Sequence, residues 1–142
     1  MKSSQTYRVL IADDSPVVQD ALSASVGAMP GLRIERQAFT GRETIAAIRA
    51  TQPDIVLLDV EMPEGGGLDV LAAIRDDAHR PLVLVLTFHP EDFFRARCRE
   101  LGAHGFFDKT KDIGSLFATL AEIGRGELTL AEAMQRGRGE TP

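Results

Sequence analysis

Short apolar runs alternate along the chain with longer segments in which apolar residues recur every three or four positions. The segment 81–87 is almost wholly apolar, and Ile55–Asp59 is apolar up to its final acid. Such runs are typical of strands that are buried on both faces of a parallel sheet. Helical spacing is clearest in 112–124, where Leu116 and Leu120 lie on one face. The predicted strands are Tyr7–Ala12, 32–39, Ile55–Asp59, 81–87 and 106–108, and the predicted helices are 16–28, 42–51, 68–75, 91–101 and 112–124.

This strict alternation predicts an α/β protein of the (βα)5 type, a doubly wound five-stranded parallel sheet with helices on both faces. Segment 32–39 is more polar than the other strands, which places it near an edge of the sheet. Pro90 is expected to open the fourth helix. We expect one domain over residues 5–124, followed by a tail, 125–142, in which a weak helical piece at 128–135 is loosely docked or frayed.

Composition narrows the class of protein. With 142 residues, of which 44% are hydrophobic and 26% charged, the chain has the length and core of one ordinary globular domain. Its apolar runs are far shorter than the roughly 20 residues of a membrane-spanning helix, and its first residues include no apolar signal segment. The single cysteine, Cys98, lacks a partner for an internal disulfide, so we expect a reduced, cytoplasmic protein that does not bind membranes. The net charge of −5 argues against direct binding to nucleic acids.

Residues with reactive side chains stand where the predicted strands end. Asp13 and Asp14 follow the first strand, and Asp59 ends the third. Thr87 ends the fourth strand, and Lys109 follows the fifth. Because the carboxyl ends of parallel strands meet at one edge of an open sheet, we expect these five side chains to face a common pocket. Each alone has an ordinary explanation, such as helix capping for the aspartates, but their joint occurrence in this order favours a site.

The expected pocket has a distinctive chemistry. Three carboxylates repel each other, and a hard divalent cation such as Mg²⁺, which prefers oxygen ligands, relieves that repulsion. Lys109 would add a fixed positive charge, and Thr87 would add a hydroxyl donor. A carboxylate in such surroundings can act as a nucleophile and form an aspartyl phosphate, and Asp59 is the best candidate because it ends the central apolar strand. The metal and Lys109 would stabilise the charge of the phosphoryl group during its transfer.

Four stretches of this sequence together resemble the receiver domain of bacterial two-component response regulators, which has a flavodoxin-like fold. They are LIADDSP, DIVLLDVEMPEGGGLDVL, LVLVLT and LGAHGFFDKT, and the resemblance extends from Tyr7 to Ile123. It implies that Asp59 is the phosphoacceptor, that Thr87 is the switch hydroxyl and that Lys109 is the lysine of the site.

The same resemblance implies the ligands of a Mg²⁺ ion. Asp14 would bind the ion directly, whereas Asp13 would bind it largely through water. Asp59 and the backbone carbonyl of Glu61 would complete the protein ligands. Phe106 stands at the position of the family's aromatic switch residue.

Three positions depart from the family pattern. Thr110 follows the lysine where the family often has a proline after a cis peptide bond, so the geometry of the Lys109–Thr110 peptide is left open. Phe88 follows the switch hydroxyl where a small residue is usual, and Phe106 lacks the hydroxyl of the commoner tyrosine. By family position Phe88 lies, with Glu61 and His89, near the route of attacking water, so we expect slow self-dephosphorylation if its ring shields the acceptor.

The resemblance implies a stand-alone receiver similar to the chemotaxis regulators. It would accept a phosphoryl group from a sensor histidine kinase or a histidine phosphotransfer protein, and it would then change its binding to a downstream protein target. A phosphate shuttle in a relay is the alternative role, and either form would be a monomer or a weak dimer. We expect no enzymatic activity beyond self-catalysed phosphotransfer and autodephosphorylation.

Two rival classes remain. A phosphohydrolase of the haloacid-dehalogenase type also uses an aspartate nucleophile with Mg²⁺, but its nucleophile and acid are two residues apart, whereas Asp13 and Asp14 are adjacent. A receiver-like scaffold that binds partners without phosphorylation is the other rival, and the intact acidic set argues against it.

Overall fold

The structure, a computed structural model, describes residues 6–88 and 91–139. His89 and Pro90 lie outside the described residues, and with them the expected opening of the fourth helix by Pro90. The strands are β1 (Tyr7–Ala12), β2 (Leu32–Ala38), β3 (Ile55–Asp59), β4 (Leu82–Thr87) and β5 (Gly105–Asp108). The helices are α1 (Pro16–Gly27), α2 (Gly41–Thr51), α3 (Gly67–Ile74), α4 (Asp92–Glu100), α5 (Ile113–Gly124) and α6 (Leu130–Gly139).

The five strands form one parallel sheet in the order β2-β1-β3-β4-β5. The predicted (βα)5 architecture and the edge position of β2 are therefore confirmed. The chain leaves β1 towards β2 on one side and returns to β3 on the other. In a doubly wound sheet this change of direction opens a crevice beyond the carboxyl ends of the two strands, which is where ligands bind.

Two apolar layers cover the sheet, one on each face. One layer packs β1, β3 and β4 against α2, α3 and α4, and Ile48, Leu71 and Cys98 are among its buried residues. The other layer packs the opposite faces of these strands against α1, α5 and α6. Every residue of β3 and β4 is buried, which is the burial expected of runs without polar alternation.

The tail was expected to be loosely docked, and this expectation is wrong for α6. Leu128 and Ala133 are only 5% and 6% exposed, and they belong to the apolar layer that contains α5. Thr129 accepts a hydrogen bond from the N–H of Glu132, while the Glu132 carboxylate accepts one from the N–H of Thr129. This reciprocal capping box starts the helix, and apolar burial holds it in place.

None of the helices within residues 6–88 and 91–139 is both long and apolar enough to cross a membrane.

Candidate functional site

The strand ends carry the predicted polar residues to one edge of the sheet. Asp59 is the last residue of β3 and pairs in register with Leu86, directly before Thr87 at the end of β4. Thr87 in turn pairs with Asp108 at the end of β5, directly before Lys109. Register alone therefore brings three of the predicted residues together.

Lys109 connects the acidic residues at this edge. Its ammonium nitrogen lies 2.7 Å from Oδ2 of Asp13 and 3.6 Å from Oδ1 of Asp59. All three side chains are less than one-tenth exposed. The backbone N–H of Lys109 also donates to the carbonyl of Thr87, which continues the strand pairing for one residue beyond β5. The lysine is thus a fixed internal cation rather than a surface charge.

Asp13, Asp14 and Asp59 form an acidic cluster, with a carboxylate oxygen from each residue within 4.8 Å of the others. Asp13 is committed on both oxygens, because Oδ1 accepts the N–H of Ser15 and Oδ2 accepts from Lys109. Asp14, in contrast, is exposed at the open side of the cluster. Three carboxylates against one ammonium leave an excess of negative charge, and their oxygens are ligands of the kind that Mg²⁺ prefers. The donor set therefore fits the metal, with Asp14 and Asp59 better placed than Asp13 for direct contact.

The acidity of Asp59 is strongly perturbed. Burial raises its pKa from 3.8 to about 6 because ionisation is disfavoured away from water. The Lys109 ammonium opposes this effect, and the Asp13 and Asp14 carboxylates add to it. The N–H of Glu61 donates to Oδ1 of Asp59 at 3.3 Å, which lowers the pKa. At neutral pH the group is thus a carboxylate held in surroundings that disfavour its charge.

Thr87 and Phe106, the two predicted switch residues, are buried to different degrees. Thr87 is completely buried. Phe106 is half-buried and packs against the layer of α4, with the Arg95 guanidinium 4.6 Å from the centre of its ring. A cleft of about 420 Å³ between α4, β5, α5 and α6 exposes Phe106, and its positively charged side chains are Arg95, Arg99 and Arg136.

A second aromatic residue, Phe107, follows Phe106 in the chain. Both residues are half-buried, on opposite faces of the edge strand β5. An edge strand has no neighbour on one side, so neither ring is fully covered.

The peptide bond between Lys109 and Thr110 is trans. The Thr110 hydroxyl and N–H both donate to Oδ1 of Asp108, at 2.7 and 2.8 Å, and these bonds lower the pKa of Asp108. Side-chain hydrogen bonds therefore fix the turn after the lysine at the place where the family often has proline.

Phe88 is 58% exposed, and its ring centre lies 4.9 Å from the Lys109 ammonium. The ring thus lies against the lysine but is itself largely exposed, as is Asp14 in the acidic cluster.

Sequence reasoning missed Gln19, which is completely buried on α1. Its amide nitrogen lies 3.0, 3.1 and 2.8 Å from the carbonyl oxygens of Ile11, Asp13 and Ala38. It thus fixes the backbone that leads into the acidic pair. The available signal was its helical spacing with the apolar Leu22, which puts an amide on the buried face of α1.

Comparisons with known proteins agree with this fold. A family model for the response regulator receiver domain matches residues 9–121. A protein-glutamate methylesterase/protein-glutamine glutaminase of Anaeromyxobacter dehalogenans is 36% identical over 118 residues, which cover 83% of this chain and 33% of that protein. The chain thus spans about a third of the length of the methylesterase relatives that it matches.

Two solved structures have the same fold. A LuxR-family two-component response regulator from Aurantimonas sp. has a TM-score of 0.77 and 27% identity, with 96% of this chain and all of that chain covered. The chemotaxis protein CheY4 of Vibrio cholerae has a TM-score of 0.73 and 26% identity, with 83% of this chain and 98% of that chain covered. The flavodoxin-like receiver fold predicted from the sequence is confirmed.

Proposed function

Because the chain belongs to the response regulator receiver domain family, whose general function is to accept a phosphoryl group on an aspartate, we propose that Asp59 is its phosphoacceptor. One observation carries the assignment: Asp59 is a buried carboxylate with a raised pKa, an ammonium 3.6 Å away and two further carboxylates beside it. The amino end of the sheet offers no comparable arrangement among the described residues, since its acid Asp54 is satisfied by Arg8.

The reaction is an in-line transfer from a phosphohistidine of a kinase or of a histidine phosphotransfer protein. A carboxylate oxygen of Asp59 attacks the phosphorus, and the new O–P bond forms as the N–P bond breaks. The electron pair of the broken bond returns to the imidazole nitrogen, which takes up a proton. Lys109 stabilises the negative charge that the phosphoryl oxygens carry in transit.

A Mg²⁺ ion would be held by Asp14, Asp59 and the backbone carbonyl of Glu61, with Asp13 acting largely through water. Bound there, it supplies the positive charge that the excess of carboxylates requires. Asp13 meanwhile keeps Lys109 oriented towards Asp59, because the 2.7 Å ion pair fixes the ammonium.

Phosphorylation then changes the surface around Thr87 and Phe106. The Thr87 hydroxyl turns to the phosphoryl oxygens, and Phe106 repacks beside it. That movement reaches the cleft where Arg95 stacks on Phe106, which provides a surface whose binding to a downstream protein depends on phosphorylation. A relay role would use the same acceptor chemistry, with Asp59 passing its phosphoryl group on. The chain spans only about a third of its methylesterase relatives, so their esterase activity is not assigned to it. Its own chemistry is limited to phosphotransfer and autodephosphorylation, and its cytoplasmic location stays a prediction.

Acetyl phosphate tests the assignment. With Mg²⁺ present, the carboxylate of Asp59 displaces acetate from the phosphorus, so intact-mass measurement should show one added phosphoryl group. The Asp59→Asn variant should show none, while Asp54→Asn, an equivalent change at the opposite end of the sheet, should be labelled like the wild type. Equal labelling of the wild type and Asp59→Asn would overturn the proposal.

A further inference from the structure

The segment 60–66, here called the acceptor loop, leads from Asp59 to α3 and carries Glu61. The residues where the loop begins and ends are fixed by backbone hydrogen bonds of neighbouring residues. The N–H of Gly67 donates to the carbonyl of Val60 at 2.7 Å, and the N–H of Glu61 bonds to Asp59 itself. The bond between Gly67 and Val60 holds the two ends of the loop close together.

The apex is supported by the first turn of α2. The N–H groups of Gly41 and Arg42 donate to the carbonyls of Pro63 and Glu64, each at 3.0 Å. The first N–H groups of a helix have no partners within the helix and carry a partial positive charge, so they attract carbonyl oxygens. The acceptor loop therefore caps α2, and α2 in turn fixes the path of the loop.

This contact requires a glycine at position 41. A Cβ atom there would lie 1.8 Å from the carbonyl oxygen of Gly65 and 2.8 Å from that of Glu64. The helix cannot easily withdraw, because Ala47 and Ile48 anchor it in the core. The loop would have to move instead, although Glu64 and Gly65 already follow a left-handed path, with φ of 56° and 100°.

We propose that Gly41 is a positioning residue for the Mg²⁺ site: the close seating of the acceptor loop on α2 keeps the backbone of Glu61 where the metal requires it. This rests on the proposed function, because the ligand that it positions belongs to the same site. Gly41 touches neither the metal nor the reacting atoms, and it acts only through the loop.

The test is to titrate Gly41→Ala with Mg²⁺ and to monitor binding by the change in backbone NMR chemical shifts. We expect the dissociation constant for Mg²⁺ to rise about tenfold, the lower end of the losses seen when groups behind metal ligands are changed. The rate of labelling by acetyl phosphate should fall at low Mg²⁺ and recover at saturating Mg²⁺, because Asp59, Thr87 and Lys109 are unchanged. If Gly41 had a purely structural role, the substitution would lower the free energy of unfolding, but the labelling rate would not recover at saturating Mg²⁺.

Gly124→Ala is the matched control. A Cβ atom on Gly124 would lie 2.2 Å from the carbonyl oxygen of Pro30, a similarly close backbone contact at the opposite end of the sheet. This variant should lose stability but bind Mg²⁺ like the wild type. If Gly41→Ala also binds Mg²⁺ with wild-type affinity, the positioning role is wrong. If the wild type itself neither binds Mg²⁺ nor labels on Asp59, it is the proposed function that fails.

Amide exchange in the wild type supplies a second measurement should Gly41→Ala not fold. If the contact between the acceptor loop and α2 favours Mg²⁺ binding, then Mg²⁺ binding must stabilise that contact by the same factor. Saturating Mg²⁺ should therefore slow hydrogen exchange at the N–H groups of Gly41 and Arg42. Unchanged exchange at both amides, with the site saturated, would overturn the proposal.

Discussion

The two ends of the sheet handle charge in opposite ways. At the amino end, Arg8 faces a single acid: its Nε lies 3.8 Å from Oδ2 of Asp54, and its backbone N–H donates to the same oxygen at 2.8 Å. The guanidinium also donates to the carbonyls of Thr51 and Gln52 at the end of α2. Arg8 and Asp54 thus pair one charge with one of opposite sign, and both side chains remain about one-third exposed.

At the carboxyl end, one ammonium serves three carboxylates, and Lys109 and Asp59 are almost completely buried. Each end has a glycine in close contact with another backbone segment, and each end has an ion pair. These two features therefore do not tell a functional site from a structural one. What distinguishes the carboxyl end is that its carboxylates outnumber its ammonium group and that Lys109 and Asp59 are almost completely buried. Such an arrangement costs stability, and a site can use that cost for chemistry.

The largest expected effect comes from removing the charge of Asp59. An acid whose pKa is raised by folding holds its proton more tightly in the folded chain, so stability falls as the pH rises from 3.8 to about 6 and stays low above that. Without Mg²⁺, Asp59→Asn should therefore be more stable than the wild type above about pH 7, by about 3 kcal/mol. The difference should fade as the pH falls through 6 towards 4. Urea unfolding monitored by circular dichroism at several pH values measures it.

Mg²⁺ sharpens that experiment. Mg²⁺ should stabilise the wild type and so reduce the difference in the free energy of unfolding between the two proteins, because only the wild type keeps the carboxylate of Asp59. An Asp59→Asn variant that is less stable than the wild type at neutral pH would show that the charge of Asp59 is compensated after all.

A smaller effect is expected from Arg8→Met, which keeps an unbranched aliphatic stem but removes the guanidinium. Thr51 and Gln52 would lose a donor, and Asp54 would lose its cation, so the free energy of unfolding should fall by about 1–2 kcal/mol in urea. Mg²⁺ affinity and labelling by acetyl phosphate should not change. A loss of labelling without loss of fold would mean that the two ends are not independent.

The polar edge of the sheet was predictable because each reactive residue directly ends or follows a strong apolar run. In a parallel sheet the strand ends alone determine where Asp59, Thr87 and Lys109 lie, so no knowledge of tertiary packing was required. The alternation of apolar strands with amphipathic helices likewise predicted the parallel (βα)5 sheet.

Features that depend on contacts between distant segments were not predictable in this way. The seating of the acceptor loop on Gly41 joins residues more than 20 positions apart, and nothing in the spacing of either segment shows that their backbones meet. The docking of α6 was missed for a different reason. Its ten residues include two glycines and four apolar residues, so the pattern of its buried face is weak, although Thr129 and Glu132 carried a capping signal. Local patterns thus predict elements and their ends, whereas close approaches depend on the packed whole.

The smallest expected effect concerns Phe88, which tests how open the charged end is. Its ring lies 4.9 Å from the Lys109 ammonium but is 58% exposed, so it covers only one side of the pocket. Removing the ring in Phe88→Ala should speed loss of the phosphoryl group from Asp59 about two- to threefold, the scale of one exposed contact between a cation and a ring. Intact-mass decay after removal of acetyl phosphate measures the lifetime, and Phe93→Ala, which removes another exposed ring, on α4, is the control. Identical phosphoryl lifetimes in the wild type, Phe88→Ala and Phe93→Ala would mean that water reaches Asp59 by a route that the Phe88 ring does not cover. Shielding by this ring would then contribute nothing to the contrast between the carboxyl and amino ends of the sheet.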